Sequence, residues 1–168
     1  SRPKTGAEAS KDAAGNAIQV SFDKRGLVVK RAITKGTHSI IEQYEYDALG
    51  QLIASVDGQG ARQEKIYDSL GFLIKERDPL RQETLYYYDG LGRLLKEVHN
   101  ERTRQLHWNG DGVVEAFIDG QGNETHFTYD KQGRKKTETG ADGVRREFTY
   151  DAADRVVAKT NPDLRYEG

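Results

Sequence analysis

Apolar and polar residues alternate one by one along most of this chain, and the apolar runs are short. Aromatic pairs such as Tyr44/Tyr46 and Phe127/Tyr129 flank a single polar residue. A period of two places every second side chain on the same face of an extended strand, whereas a helix shows a period near 3.6. No stretch of useful length has the helical period. The pattern therefore predicts short β-strands throughout.

The strands are organised by a repeat. An aromatic residue followed by Asp or Asn recurs seven times, at steps of 24, 21, 21, 20, 21 and 21 residues. Glycine stands three residues after the Asp or Asn in six copies, and Asp154 replaces it in the last. Two residues further on, six copies are aliphatic and the exception is Lys135. The predicted structural repeat motif comprises Phe22, Asp23, Gly26, Tyr46, Asp47, Gly50, Tyr67, Asp68, Gly71, Tyr88, Asp89, Gly92, Trp108, Asn109, Gly112, Tyr129, Asp130, Gly133, Tyr150 and Asp151.

A second turn signal lies halfway through most units. Asp57–Gly60 and Asp119–Gly122 both read Asp-Gly-Gln-Gly, and Asp78–Arg81 occupies the same position without glycine. In a type I turn, a first-position Asp accepts hydrogen bonds from the following backbone amides, and glycine accepts the positive φ that ends the turn. Turns every 10 or 11 residues leave strands of about six residues. Each unit is therefore predicted to be one β-hairpin, which makes about 14 strands in all.

The predicted fold class is all-β, with antiparallel β-hairpin repeats of about 21 residues forming a curled single-layer sheet. Aromatic pairs before the turn and alternating Leu52, Ala54 and Val56 after it predict one apolar, aromatic face and one solvated face. Open sheets rarely exceed about 10 strands without curling or splitting. The apolar face is therefore expected either to line a lumen or to pack on a partner, and both alternatives stay open.

The domain organisation follows from the repeat. Residues 1–11 have no clear register and are predicted to be a tail or a partial strand, while 12–168 form the repeat array of about seven hairpins, the last incomplete. The 24-residue first unit predicts a longer loop near Lys35–Thr37. The chain starts at Ser1 and contains no Met, which indicates an excised segment of a longer protein.

Composition narrows the function classes. The 26 basic and 27 acidic residues give a net charge of −1, so the one-sided field that nucleic-acid binding requires is missing. No apolar run approaches the roughly 20 residues of a membrane helix, and the segment has no signal peptide. There is no Cys, which excludes disulfides and thiol chemistry.

Candidate chemistry is sparse. The four histidines lack the spacing of zinc ligands, and no helix follows Gly-Gln-Gly to make a phosphate loop. Most of the notable Asp residues are explained by turns. We therefore predict a non-enzymatic chain without catalytic, cofactor-binding or metal-binding residues; the histidines concerned are His38, His99, His107 and His126.

The repeat resembles the YD repeat of the Rhs family. Tyr88–Leu94, which reads Tyr-Asp-Gly-Leu-Gly-Arg-Leu, matches the family motif in full, and Asp119–Asp130 matches its second half. The resemblance covers roughly residues 12–160. It implies membership of a group that includes bacterial Rhs polymorphic toxins, Tc insecticidal complexes, wall-associated YD proteins and teneurins. Shells of this kind end in a plug with an Asp-Pro-x-Gly-Leu signature; Asp78-Pro79 shares only its first two residues and is interpreted as a turn.

The resemblance implies a structural, non-catalytic segment of a hollow β-shell that encloses and protects a C-terminal toxin domain for delivery to target cells. The implied partners are the remaining repeats of the parent shell and the enclosed domain. The implied localisation is secreted or cell-surface, by way of a bacterial secretion system in interbacterial competition. The alternative is an extracellular adhesion or carbohydrate-binding repeat module that uses the aromatic rows, and self-association of the excised fragment also stays open.

Overall fold

The computed structural model describes residues 6–160, and these form β-strands joined by turns, without a helix. Two compact units divide the chain between Leu85 and Tyr86. The strands are β1 (Gly6–Lys11), β2 (Ala17–Phe22), β3 (Val28–Lys35), β4 (His38–Tyr46), β5 (Leu52–Val56), β6 (Arg62–Tyr67), β7 (Leu73–Arg77), β8 (Glu83–Tyr88), β9 (Leu94–His99), β10 (Arg102–Trp108), β11 (Val114–Ile118), β12 (Glu124–Tyr129), β13 (Lys135–Thr139), β14 (Arg145–Tyr150) and β15 (Val156–Thr160).

In each of the two units, strands that are neighbours in the sequence are hydrogen-bonded neighbours in the sheet, and the pairs are antiparallel. Within each unit, the described strands contact only their neighbours in the sheet, so a single layer is present. The predicted all-β fold of antiparallel hairpins in one layer is confirmed. The first strand, β1, covers part of the stretch 1–11, and residues 1–5 and 161–168 lie outside the described part of the chain.

The turns alternate between two edges of the sheet in each unit. All aromatic–Asp and aromatic–Asn turns follow an even-numbered strand, so within each unit they share one edge, which we call the aromatic edge. In each such turn the amide three residues on donates to the carbonyl of the Asp or Asn, as from Gly92 to Asp89 at 3.0 Å. The Asp89 amide in turn bonds to the Arg93 carbonyl at 2.9 Å. This is a type I turn with a bulge residue at positive φ.

The opposite edge is less uniform, and one sequence prediction fails there. The 24-residue unit does not contain a longer loop near Lys35–Thr37; Gly36 and Thr37 alone connect β3 and β4, whose ends Lys35 and His38 are paired. The additional residues lengthen the strands, since β3 has 8 residues and β4 has 9. Backbone pairing can extend along both strands at once, which satisfies more amides than a loop would.

The 20-residue unit is shortened at the same edge. Its hairpin β9–β10 closes with two residues, Asn100 and Glu101, at φ values of 46° and 67°. Positive φ at both central positions is the type I′ geometry, which matches the twist of paired strands. Variation in unit length is thus absorbed at the edge opposite the aromatic edge.

The prediction of one apolar and one solvated face is wrong. Ala54 stands opposite Glu45, and Ser55 stands opposite Tyr44. Residues directly opposite each other on paired strands share a face, so the aromatic pair and the small apolar residues lie on different faces. The cause is the bulge next to Tyr46, which puts one additional residue into β5 and reverses the alternation. The same switch occurs in the second unit, where Ala116 stands opposite His107.

Burial is slight, as a single layer requires. Among the described residues, the buried apolar side chains are the two alanines, Ala54 at 3% exposure and Ala116 at 4%. The aromatic residues of the repeat are half-buried. Stability therefore comes from contacts between neighbouring strands and turns, and less from an enclosed core.

One turn at the opposite edge contains a strained backbone position, and a substitution by glycine should relieve the strain. Arg81 closes the Asp78 turn at φ 66°, a conformation that costs a non-glycine residue roughly 1–2 kcal/mol. We expect Arg81→Gly to raise the free energy of unfolding by about 0.5–1 kcal/mol, because glycine removes the strain but has more conformational freedom to lose. Urea denaturation monitored by circular dichroism measures the difference. A loss of stability would contradict the assigned turn, and Leu80→Gly, at an exposed position of the same turn without positive φ, provides the control.

Candidate functional site

Within each unit, the predicted repeat residues lie at the aromatic edge. The seven aromatic residues are the last residues of β2, β4, β6, β8, β10, β12 and β14, and the Asp or Asn after each begins the turn. The six glycines adopt φ values between 77° and 89°, and Asp154 adopts 60° in the seventh copy.

Each Asp organises its turn through its carboxylate. In the best match to the motif, Asp89 Oδ1 accepts the backbone amides of Leu91 and Arg93, both at 2.9 Å. Asp89 Oδ2 accepts the Arg93 Nε at 2.7 Å. The amides cannot pair within a strand at this position, so the carboxylate satisfies donors that would otherwise need water.

The aromatic residues make a contact that the sequence reading missed. Their hydroxyl or indole N–H donates to the backbone carbonyl of the first residue of the preceding odd-numbered strand, and we call this bond the aromatic latch. The latches are Tyr46 to Val28 at 2.9 Å, Tyr67 to Leu52 at 3.1 Å, Trp108 to Leu94 at 2.8 Å, Tyr129 to Val114 at 2.7 Å and Tyr150 to Lys135 at 2.7 Å.

The latch bridges a gap in the backbone ladder. Pairing of β9 with β10 ends at Lys96 and Gln105, so the carbonyl of Leu94 lies beyond the last ladder pair. The side chain of Trp108 spans this gap and supplies the missing donor. Pairing of β5 with β6 likewise ends before the latched residue. The sequence does contain a sign of this bond, since six of the seven repeat aromatics are Tyr or Trp, which can donate a hydrogen bond.

Arginine adds a second link between neighbouring turns. The Arg93 guanidinium, bound to Asp89, lies 5.3 Å from the centre of the Trp108 ring. In the same way Arg134 binds Asp130 at 2.8 Å and lies 4.7 Å from the Tyr150 ring. A cation over an aromatic face is attracted by the ring quadrupole. The arginine of the motif therefore joins its own turn to the aromatic residue of the next.

Lys135, the exception among the aliphatic positions, is explained by the rings around it. Its ammonium lies 5.2 Å from the centre of the Phe127 ring and 5.0 Å from that of Phe148. It also binds Glu138 at 2.8 Å. The lysine stem covers the rings and its charge is neutralised, so it replaces an aliphatic residue without leaving an unpaired cation.

A chain of ion pairs crosses one face of the first unit. Arg62 binds Glu45 at 2.6 Å and Glu64 at 2.9 Å, and these two glutamates flank Ala54 in the register, so the guanidinium covers the alanine. Arg77 continues the chain by binding Glu64 at 3.1 Å. A groove of about 470 Å³ runs along these residues, but its charges neutralise one another. This arrangement fits cross-strand stabilisation and offers no activated acid, base or nucleophile.

The described part of the chain does not bring potential metal ligands together. Within residues 6–160, no group of three His, Asp or Glu side chains could hold a metal ion. The described part of the chain also contains no helix that could cross a membrane. His126 makes a contact with Glu124 at 3.3 Å, and both side chains are largely exposed.

The turn carboxylates make stability depend on acid pH. The backbone N–H of Arg93 holds the pKa of Asp89 below its ordinary value of 3.8, and the amide of Gln51 does the same to the pKa of Asp47. A carboxyl with a lowered pKa in the folded state binds fewer protons than in the unfolded state, so its stabilisation is present above pH 3.8 and is lost as pH falls through the folded pKa. We expect the Tm to change little between neutral pH and about pH 5 and to fall below about pH 4.

Differential scanning calorimetry across this pH range tests the expectation. Asp89→Asn provides a matched variant, since an amide oxygen keeps the acceptor, as at Asn109, but does not titrate. Its acid transition should be shallower than that of the wild type. A Tm that is independent of pH down to about pH 3 would contradict a stabilising role of the turn carboxylates.

A family profile matches nearly the whole chain. A family profile described as Teneurin YD-shell matches residues 11–167. No curated protein matches the chain. Among solved structures, TcdB2-TccC3 is 16% identical over 86% of this chain and 12% of its own, with a TM-score of 0.36. The Tc holotoxin pore from Photorhabdus luminescens is 13% identical over 89% of this chain and 14% of its own, with a TM-score of 0.27.

The chain thus spans about an eighth of the length of the solved chains it resembles. The family match covers nearly the whole repeat array, including all seven aromatic–Asp and aromatic–Asn turns. These turns and their latches recur in hairpin after hairpin. This chain therefore belongs to the Teneurin YD-shell family.

Proposed function

We propose that this chain is a structural, non-catalytic stretch of a YD-repeat shell that encloses a toxic C-terminal domain and protects it until delivery to a target cell. The observation that carries the proposal is the aromatic latch, which recurs in five hairpins. A wall one layer thick has no core to hold its strands together, so the open end of each hairpin, where the ladder pairing stops, needs bonds of its own. We further propose that the twenty residues of the repeat motif supply them.

The charge pattern supports a wall more than a reactive site. Arginine and glutamate side chains on the strands are paired with each other, as Arg62 is with Glu45 and Arg77 with Glu83. The first of these pairs covers a small residue, Ala54, which lies between its partners in the register. The proposed partners are the remaining repeats of the parent shell and the enclosed domain, and the proposed setting is secreted or cell-surface, after delivery by a bacterial secretion system.

Limited proteolysis of the full-length parent protein tests the enclosure. The C-terminal domain should resist protease in the wild type and in a Gly90→Ala control, whose added Cβ meets no atom within 4 Å. It should be cut faster when Trp108→Ala removes a latch. Digestion of the domain at the same rate with the wall intact as in its absence would refute the proposal.

The alternative, an adhesion or carbohydrate-binding module, needs aromatic faces that are free to stack on sugar rings. The faces of Trp108 and Tyr150 lie against Arg93 and Arg134, and their polar groups are used in latches. These contacts favour the wall. A glycan array with the wild type and the Trp108→Ala and Tyr129→Ala variants decides between the wall and the binding module. Binding by the wild type that is lost in both variants supports the module. Absence of binding by the wild type rules the module out.

A further inference from the structure

We infer that Asn109 is a site of spontaneous deamidation in the folded protein, with the backbone nitrogen of Gly110 as the nucleophile. Asn109 is the one amide among the seven repeat positions that otherwise carry Asp. It is followed by glycine, whose missing side chain leaves the peptide nitrogen open to attack its neighbour. One of the two products is an aspartate that restores the carboxylate of the repeat.

The turn arranges the reacting groups. Asn109 Oδ1 accepts the backbone amides of Asp111 at 2.9 Å and Val113 at 3.2 Å. These two bonds hold the side-chain amide over the turn backbone that contains the Gly110 peptide nitrogen. The two donors also polarise the side-chain carbonyl and stabilise the negative charge that develops on Oδ1 during attack, as an oxyanion hole does.

The chemistry balances with water as the only co-reactant. The Gly110 nitrogen forms a bond to Asn109 Cγ and loses its proton, the bond from Cγ to Nδ2 breaks, and ammonia leaves. The cyclic imide that results is opened by water. Opening at the side-chain carbonyl gives an ordinary aspartate in place of Asn109, and opening at the backbone carbonyl gives isoaspartate, which has one more methylene group in the backbone.

The surroundings leave both the nucleophile and the leaving group accessible. A Cβ added at Gly110 meets no atom within 4 Å, and among the described residues no hydrogen bond uses the Gly110 amide. At Asp89 and Asp130 the second carboxylate oxygen is bound by an arginine four residues on. At Asn109 the equivalent atom is Nδ2, which donates, and the residue four on is Val113, whose side chain has no acceptor for it.

The aspartate product fits the turn better than the starting asparagine. A carboxylate accepts backbone amides through charge-assisted hydrogen bonds, and such bonds are stronger than those of a neutral amide oxygen. The six other turns of the aromatic edge already have this arrangement. Deamidation would change the formal net charge of the chain from −1 to −2, since one neutral residue becomes an anion.

Peptide mapping by mass spectrometry after incubation of the folded protein in mildly alkaline buffer tests the inference. We expect replacement of NH2 by OH at Asn109, while Asn16, Asn100, Asn123 and Asn161, none of which precedes glycine, stay unchanged. Gly110→Ala should slow the reaction about tenfold, which corresponds to about 1.4 kcal/mol in the barrier. Its backbone does not have positive φ, so alanine can be accommodated. Asn109→Asp supplies the standard for the product.

A parallel sample unfolded in urea separates the role of the turn from that of the dipeptide. Deamidation of Asn109 in the folded protein at a rate equal to or above that in the unfolded chain supports activation by the turn amides. Slower conversion in the folded protein than in urea, or an intact Asn109 in the folded protein, would overturn the inference. Equal conversion of Asn109 and the four other asparagines would overturn it as well.

Discussion

Replacing Trp108 with alanine is expected to lower the free energy of unfolding by about 2–3 kcal/mol. Complete removal of a buried Trp side chain typically costs about 3–5 kcal/mol, and the ring of Trp108 is only half-buried. The variant loses three things at once: the ring, the bond from Nε1 to the Leu94 carbonyl at 2.8 Å, and the surface on which Arg93 lies. Urea denaturation followed by fluorescence or circular dichroism measures the change.

Two further substitutions separate the latch from the ring. Trp108→Phe retains most of the apolar surface but has no donor, so it should cost about 1 kcal/mol, the usual net value of one hydrogen bond. Trp108→Tyr restores a donor of the kind used in the neighbouring units and should recover most of the loss. The order Ala, Phe, Tyr in increasing stability is the expected result. Equal stability of the Phe and Tyr variants would show that the latch contributes nothing.

The second large effect is expected at Gly92. Its φ of 79° lies in the left-handed region, where a β-branched side chain is a genuine outlier. Gly92→Val should therefore destabilise the protein by roughly 1–3 kcal/mol, the cost of a strained backbone position. The amide of this residue also closes the turn on the carbonyl of Asp89, so relaxation of the strain would break that bond.

Gly90 lies in the same turn and provides the matched control. It does not have positive φ, and an added Cβ meets no atom within 4 Å. Gly90→Ala should change the free energy of unfolding by less than about 0.5 kcal/mol. Thermal and urea denaturation of both variants gives the comparison. If Gly92→Val were as stable as Gly90→Ala, the turn assigned here would be wrong.

The turns could be predicted from the sequence because their determinants are local. Asp at the first position and glycine at the fourth interact with backbone atoms within the same five residues, so their spacing alone identifies them. The same reasoning extends to Asp78–Arg81, where arginine takes the glycine position, and its φ of 66° shows that the Asp determines the turn.

The face on which each side chain lies could not be predicted in this way. One additional residue in a strand moves all the following side chains to the opposite face. A single additional residue after Tyr46 reverses the alternation in β5, and it has no mark in the sequence that distinguishes it from an ordinary strand residue. The latch was missed for a different reason: its donor and acceptor are 14 to 18 residues apart. Pairing of the two strands must be known before the contact can be seen.

The separations in the aromatic latches imply where the repeat can vary in length. They are 15 residues in each latched unit of 21, 14 in the unit of 20 and 18 in the unit of 24, so each is six less than its unit. Donor and acceptor hence keep their places at the aromatic edge whatever the hairpin length. Insertions and deletions in the turns of the opposite edge, such as Gly36–Thr37 and Asn100–Glu101, therefore leave the aromatic latches intact. During evolution this edge is free to acquire loops, and a protein engineer can graft a peptide there without altering the wall.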